Sequence, residues 1–293
     1  MFSHQMRICL LMTCFNRKAK TLACLEAVER STAIDWLTLD AILIDDASTD
    51  GTVHEVRKRH PWVKVIESSG DLYWCRGMHL AYKHALDLSY DHYIWLNDDT
   101  MLYPDAVARF LATERQVSSN GTLPAIVVGS TVNPTSGKVT YGGERIRSKL
   151  RCLSLSRVQP TSQPLALDTM NGNFVLINSK AARYLGNLDP FFEHAMGDTD
   201  FGLRARKCGI GLWLVPGIVA ECSHNNIEGT YLDRKLPLRR RWQLLLGRKG
   251  LPWRSWLHLT KRHGGVIWFI YFVWPYIRFL TTALRHSNNK EKI

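Results

Sequence analysis

Two short acidic runs stand where apolar segments end, and their residue types suit a cation-bridged phosphate. Leu39 to Ile44 runs into Asp45 and Asp46, followed by Ser48, Thr49, Asp50 and Gly51, and Tyr93 to Leu96 runs into Asn97, Asp98, Asp99 and Thr100. Carboxylates gathered on one rim raise each other's pKa unless a cation intervenes. Hard divalent ions such as Mg²⁺ or Mn²⁺ are held by one or two carboxylates together with substrate phosphates. A metal-bridged diphosphate is therefore the expected occupant. Either run alone also reads as Asx turns and helix caps, which Asp, Ser and Thr favour. Two such runs at strand ends are what single out the ligand reading.

The elements that must position these carboxylates follow from the apolar pattern. Short runs rich in β-branched residues alternate with longer amphipathic stretches, which predicts crossover units, an α/β fold and a mostly parallel central sheet. Strands are expected at Arg7 to Thr13, Leu39 to Ile44, Val63 to Glu67, Tyr93 to Leu96 and Ala125 to Gly129. Helices are expected at Lys18 to Arg30, Tyr82 to Leu88 and Pro104 to Thr113. Residues 133–165 are polar and rich in Ser and Thr, with Tyr141, Gly142 and Gly143 among them, and read as loops or a hairpin. In open α/β sheets ligands bind beyond the carboxyl ends of the strands, where both acidic runs lie.

The 293 residues are 45% hydrophobic and 22% charged, which excludes disordered and fibrous classes. Seven cysteines without a CxxC pair fit neither a zinc ribbon nor a fully paired disulfide framework, and a reducing cytosol is the simpler setting. The apolar Ile8 to Phe15 run is only eight residues long and is followed by Asn16, Arg17 and Lys18, so it reads as a buried strand and not as a signal peptide. The net charge of +12 has one location. Residues 233–293 hold 14 Lys and Arg against Asp233 and Glu291, while the preceding residues balance. Trp242, Trp253, Trp256, Trp268 and Trp274 lie in the same stretch, a mixture that suits a segment on anionic lipid. Gly264 to Ile277 is uncharged but only 14 residues long, and Pro275 and Arg278 interrupt it. It therefore reads as a segment lying on a membrane, with a spanning helix and a buried core helix as the alternatives. Lys261, Arg262 and Arg285 flank it as headgroup anchors would.

In order and spacing, TCFNR (13–17), DDASTDGT (45–52), LNDDT (96–100), GNFVLIN (172–178) and MGDTDFGLRARKCG (196–209) resemble family 2 glycosyltransferases over about residues 7–225. The resemblance implies the GT-A nucleotide-diphospho-sugar transferase fold. It also implies a UDP- or dTDP-linked sugar donor, a divalent cation (Mn²⁺ or Mg²⁺), and transfer with inversion at the anomeric carbon. A catalytic domain over residues 1–232 would divide into a nucleotide-binding half, about 1–130, and an acceptor-binding half, about 131–232. Residues 233–293 would form a basic, aromatic, helical membrane-associating segment.

Carried over residue by residue, the resemblance places Asp46 on the pyrimidine and Thr13 and Phe15 against the base. It puts Asp98 on the ribose and Asp99 on the metal, with Asn97 departing from the first position of the DxD-type motif. Asp198 matches the base that deprotonates the acceptor hydroxyl, although relatives often carry Glu-Asp where this chain has Gly197-Asp198. Its alternative is a helix N-cap role, compatible with catalysis. Asn171, Gly172 and Asn173 resemble the loop that contacts donor sugar and acceptor, or else form a structural turn. Trp74 either walls the sugar pocket or fills core. Arg76 either meets the diphosphate or is a solvated surface arginine. His224 either reaches the metal or diphosphate or is an ordinary residue after a strand.

Together these features predict a nucleotide-sugar transferase working on a glycan or lipid-linked glycan of cell-surface polysaccharide, peripheral on the inner face of the cell membrane, without a nucleic-acid partner. The neighbourhood of Trp74 and the stretch from Phe191 to Arg206 resemble bacterial rhamnosyltransferase-like enzymes. The alternatives are a sugar-1-phosphate nucleotidyltransferase, whose glycine-rich phosphate loop is missing from Met12 to Lys20, and a noncatalytic membrane- or nucleic-acid-binding protein.

Overall fold

The computed structural model describes residues 5–148, 152–223 and 227–290. The chain forms two compact units, one of residues 1–145 and 156–224 and the other of residues 146–155 and 225–293. The first is built on ten strands: β1 (Met6–Cys14), β2 (Leu37–Asp45), β3 (Val63–Glu67), β4 (His92–Leu96), β5 (Met101–Leu102), β6 (Ala125–Val132), β7 (Val139–Tyr141), β10 (Leu165–Leu167), β12 (Phe174–Asn178) and β13 (Gly211–Glu221). Eight run in the order β10-β13-β6-β12-β4-β1-β2-β3, with β5 on β13 and β7 on β6. A small sheet places β8 (Gly143–Ile146) between β9 (Leu155–Arg157) and β11 (Thr169–Met170).

The sheet is mixed, where the sequence pattern predicted a mostly parallel one. From β4 through β1 and β2 to β3 the strands are parallel, as expected for runs buried on both faces. On the other side β12 is inserted antiparallel between β4 and β6. All five of its residues are buried, so apolar content alone did not reveal its direction. The reversal pairs Phe174 with Leu96, so the loop preceding β12 lies at the same edge as the residues following β4.

Among the described residues six helices complete this unit: α1 (Lys18–Ser31), α2 (Thr52–Arg59), α3 (Tyr73–Leu86), α4 (Ala106–Val117), α5 (Ser179–Leu185) and α6 (Gly197–Lys207). Sequence periodicity anticipated α1 and α4 but missed α2, which buries only Thr52 and Val56. It also placed the start of α3 nine residues late. Trp95 on β4 is fully buried and joins these layers, with ring centroids 5.8 Å from Tyr82 of α3, 4.8 Å from Phe201 of α6 and 6.4 Å from Trp74. Helix α6 is fastened by fully buried Asp200, which accepts from Arg204 Nε at 2.9 Å, while the Arg204 terminal nitrogens donate to the carbonyls of Leu185 and Asn187.

The second unit contains α7 (Leu238–Leu246), α8 (Trp253–His263) and α9 (Trp268–Lys290), the last entered through a 3₁₀ turn at Gly265–Ile267. Pro275 lies inside α9 and has no N–H for the Tyr271 carbonyl. Trp256 Nε1 donates to that carbonyl at 3.1 Å and to Phe272's at 3.2 Å, so α8 satisfies the acceptor that the proline leaves open.

Trp95→Ala removes the ring shared by β4, α3 and α6. It is expected to lower unfolding free energy by about 3–5 kcal/mol in urea titrations, with Trp95→Phe losing much less.

Candidate active site

Loops at the ends of β1 and β2 are stapled to each other. Asn16 Oδ1 accepts from Thr49 N at 2.7 Å, and Asn16 N donates to Ser48 Oγ at 2.8 Å. Asp45 accepts from Ser48 N at 2.8 Å and from the Cys14 thiol at 3.3 Å. Asp46 is fully engaged: its carboxylate accepts from Ser68 Oγ at 2.8 Å, from Leu72 N at 3.1 Å and from Tyr73 N at 3.0 Å. It thus supplies the anion at the N-terminus of α3 and holds the turn in which Gly70, Asp71 and Tyr73 adopt positive φ. Asp46 accordingly anchors the helix that carries Trp74 and Arg76. Thr13 lies under Gly77 of α3, and Phe15 is exposed beyond β1.

The second acidic run has a cation that the sequence reading left unassigned. Arg17 Nη1 lies 3.0 Å from Asp98 Oδ1 and 2.9 Å from Asp99 Oδ2, and Lys20 Nζ is 4.0 Å from Asp99. Burial, joined by the charge of Asp99, pushes the Asp98 carboxyl up to about 6 against the opposing pull of Arg17. Asp98 Oδ2 is buried and has no hydrogen-bond partner among the described residues. A buried acceptor of this kind is costly unless a ligand completes it. The thiol of Cys222 approaches Asp99 Oδ1 at 3.6 Å.

The third part of the site forms where β12 begins. Trp74 Nε1 donates to Asn97 Oδ1 at 2.6 Å, and Asn97 N donates to the Asn173 carbonyl at 3.0 Å. Gly172 N donates to Asp198 Oδ2 at 2.8 Å, while Asp198 Oδ1 accepts from Thr199 N at 2.8 Å. A Cβ on Gly172 would collide with the Trp74 ring and stand 3.1 Å from Asp198 Cβ, so only glycine permits this approach. Burial raises the Asp198 pKa, and the two N–H bonds oppose it without cancelling it. Asp200, two residues later, is committed to Arg204.

The structure therefore brings Trp74, Asn97, Gly172 and Asp198 together and sets Asp98 and Asp99 on the adjoining strand end. Asn173 is buried and donates to Cys222 Sγ at 3.5 Å while accepting from Thr100 Oγ1 at 2.5 Å, so it ties loops together. Asn171 N donates to the Gly142 carbonyl. Arg76 is drawn instead to the Pro190 carbonyl at 3.1 Å and Glu193 at 3.4 Å, because its position on α3 faces that segment. Arg17, at the C-terminal end of the TCFNR motif, is the guanidinium that the structure sets against Asp98 and Asp99. Its one sequence clue was a cation immediately following a strand end opposite the acidic run. His224 lies outside the described residues.

No group of three or more His, Cys, Asp and Glu side chains is arranged as a metal cage among the described residues. The Asp99 carboxylate fits a divalent cation that takes its remaining ligands from a bound diphosphate, and the unpartnered Asp98 Oδ2 beside it fits a hydrogen-bond donor from the same ligand.

A family model described as "Glycosyl transferase family 2" matches residues 9–173. Among solved structures, the chain is similar to GalNAc-T7 with UDP, GalNAc and Mn²⁺, at a TM-score of 0.59 and 15% identity over 75% of this chain and 43% of that one. It is similar to the mannosyltransferase PcManGT from Pyrobaculum calidifontis, in complex with GDP-Man and Mn²⁺, at 0.53 and 16% over 86% and 61%. It is also similar to S. aureus TarS 1-349 in complex with UDP, at 0.55 and 12% over 87% and 70%. The chain spans less than two thirds of the length of the first two, and at these identities the likeness establishes the GT-A fold. No curated protein matches the chain by sequence.

Gly172→Ala is expected to destabilise the protein by about 1–3 kcal/mol through overpacking. Combined with Trp74→Phe, which removes the colliding part of the ring, its cost should be less than the sum of the two single changes when measured by urea unfolding.

Proposed function

The chain belongs to glycosyl transferase family 2, and we propose on that premise that it is an inverting glycosyltransferase. It moves a sugar from a UDP- or dTDP-linked donor to a hydroxyl of a glycan or lipid-linked glycan during cell-surface polysaccharide synthesis. The observation that carries this reading is the Asp198 carboxylate, its pKa raised by burial, held by the N–H groups of Gly172 and Thr199 beside Trp74 and one loop from Asp98 and Asp99. UDP and Mn²⁺ in the structure of GalNAc-T7, and UDP in that of TarS, support the donor class.

In this mechanism Phe15 and Thr13 border the base, with Asp46 behind them fixing α3. The buried free oxygen of Asp98 accepts a ribose hydroxyl, and Asp99 faces the diphosphate. Asp99 would hold a Mn²⁺ or Mg²⁺ ion, which would supply Lewis-acid stabilisation of the departing diphosphate. Trp74 walls the sugar, and its indole N–H is directed by Asn97. Asp198 takes the acceptor's hydroxyl proton as the acceptor oxygen bonds to the anomeric carbon, and the bond from that carbon to the diphosphate oxygen breaks with its electron pair leaving on phosphate. Arg17 and Lys20 offset the charge that develops there. The basic residues of 233–293 hold the enzyme at the inner membrane face, where a lipid-linked acceptor is presented.

Calorimetric titration of UDP, TDP and GDP, each with and without Mn²⁺, tests the donor and cation assignments. Metal-dependent binding of one pyrimidine diphosphate is expected, weakened by Asp99→Ala, and Arg17→Gln should cost about tenfold or more in nucleotide affinity. Silence across the panel in folded protein would sink the reading.

Asp198→Asn should reduce sugar transfer by about 10²–10⁴-fold while leaving nucleotide affinity unchanged. Because the base must be ionised and its pKa is raised, kcat/KM should fall with decreasing pH through a midpoint above the ordinary aspartate range. An acid limb at the ordinary aspartate value would remove Asp198 from that role.

A further inference from the structure

The second unit contains a cavity of about 1020 Å³ that the proposed transfer chemistry does not use. Trp274, Arg278 and Thr282 line it at i, i+4 and i+8 of α9, and Arg241 of α7 stands across from them. Arg241 is fixed in the wall: its Nε donates to the Tyr231 carbonyl at 2.9 Å, and its guanidinium lies 5.1 Å from the Phe279 ring centroid. Arg234 and Lys235 add further cations. Of the two acids present, Asp233 accepts the backbone N–H groups of Gly229 and Lys235, and Glu228 lies 4.0 Å from Lys235 Nζ. The described lining thus carries four cations and two acids beside an apolar wall.

The outer side of α9 is apolar and uncovered. Ile270, Val273, Ile277 and Leu280 recur at helical spacing and are all exposed, and Val266 in the preceding 3₁₀ turn is 91% exposed. Trp274 belongs to this side, with 59% of its surface exposed, and also to the cavity, so the stripe and the cavity adjoin along one helix. By length and hydropathy Gly265–Thr282 would cross a bilayer, and none of that window is buried. The packing argues against crossing. Helix α8 lies alongside α9 through Trp256 on the Tyr271 and Phe272 carbonyls and Lys261 over Trp268, and Tyr276 reaches the Leu251 carbonyl. A spanning α9 would thus carry Arg254, Lys261 and Arg262 into the hydrocarbon beside it, which insertion scales penalise severely for each charge.

We propose that this unit is a monotopic membrane module: α9 lies in the plane of the interface with its outer stripe among acyl chains, and the adjoining cavity receives the phosphate of an anionic membrane lipid between Arg241 and Arg278. The Arg241 guanidinium, fixed against Phe279, and the exposed Arg278 suit phosphate oxygens, and the apolar wall suits the chain that such a phosphate carries. The proposal deepens the membrane-face part of the transferase reading by naming the ligand chemistry, and it stands on residues separate from the nucleotide site.

Vesicle flotation of the full chain tests it, using phosphatidylcholine alone and phosphatidylcholine with phosphatidylglycerol. Wild type should float with the mixed vesicles and be released by alkaline carbonate; retention after carbonate would mean a spanning helix and overturn the proposal. Arg241→Gln with Arg278→Gln should weaken the phosphatidylglycerol-dependent binding by about 30-fold. Arg278→Gln alone, at an exposed position, should account for part of that loss without disturbing the fold. Val273→Asp with Ile277→Asp should abolish flotation on both vesicles. UDP calorimetry on each variant separates the two readings: vesicle binding unaffected by the arginine changes, with nucleotide binding intact, would sink this proposal, whereas loss of nucleotide binding in wild type would sink only the transferase reading. Release of wild type from vesicles by inorganic phosphate at low millimolar concentration would show a free-phosphate site and overturn the lipid assignment.

Discussion

Five carboxylates at the ends of β2 and β4 and the start of α6 must each be compensated, because unpaired negative charge in a partly desolvated rim is expensive. The protein meets that requirement differently at each one. Asp45 is held by a thiol and a backbone N–H, Asp46 by the N-terminus of α3, Asp98 and Asp99 by one guanidinium, and Asp198 by two backbone N–H groups. These compensations are also the bonds that tie the loops together. Asp46 fixes α3 and hence Trp74, Arg17 joins the β1 loop to the β4 loop, and Asp198 joins α6 to the loop before β12.

How completely each carboxylate is satisfied separates support from function. Asp46 accepts on both oxygens from its own chain, so its removal would loosen α3 before it altered any ligand contact. Asp98 keeps one buried oxygen unpartnered, an arrangement that favours whatever ligand supplies the donor or cation. Asp198 and Asp200 show the same contrast within one helical turn. Asp200 is fully buried in an ion pair that anchors α6, whereas Asp198 is held by the N–H groups of Gly172 and Thr199 and by the Thr199 side chain, neutral donors that orient it without taking its charge.

Much of this arrangement was legible in the sequence, since strand runs ending in acids are local signals. Strands β1 to β4 and β6, helices α1 and α4, and the acidic rims follow from periodicity and from the residues that end each run. What escaped was non-local. Helix α2 hid because it buries little, the early start of α3 because a distant aspartate caps it, and the antiparallel direction of β12 because a fully buried five-residue run has no polarity. Arg17 and Arg76 illustrate the limit at the site. Both are single cations near acidic motifs in sequence, and only packing decides that one meets Asp98 and Asp99 while the other turns to Glu193.

Charge balance links Arg17 to the proposed chemistry. Without a donor, the two carboxylates of the β4 loop hold one another's repulsion in check through Arg17, with Lys20 at the edge. On the proposed reading a nucleoside diphosphate would bring further negative charge to the same place, and the single guanidinium could not offset both sets of oxygens. On the proposed reading, a divalent cation held by Asp99 would make up that deficit, and Arg17, set between the two carboxylates, has the guanidinium geometry that suits phosphate oxygens as well as carboxylates. The same residue thereby keeps the empty rim stable and contributes to the filled one. On that reading the cation would take its third and later ligands from the donor itself, so no cage of three side chains among the described residues is required.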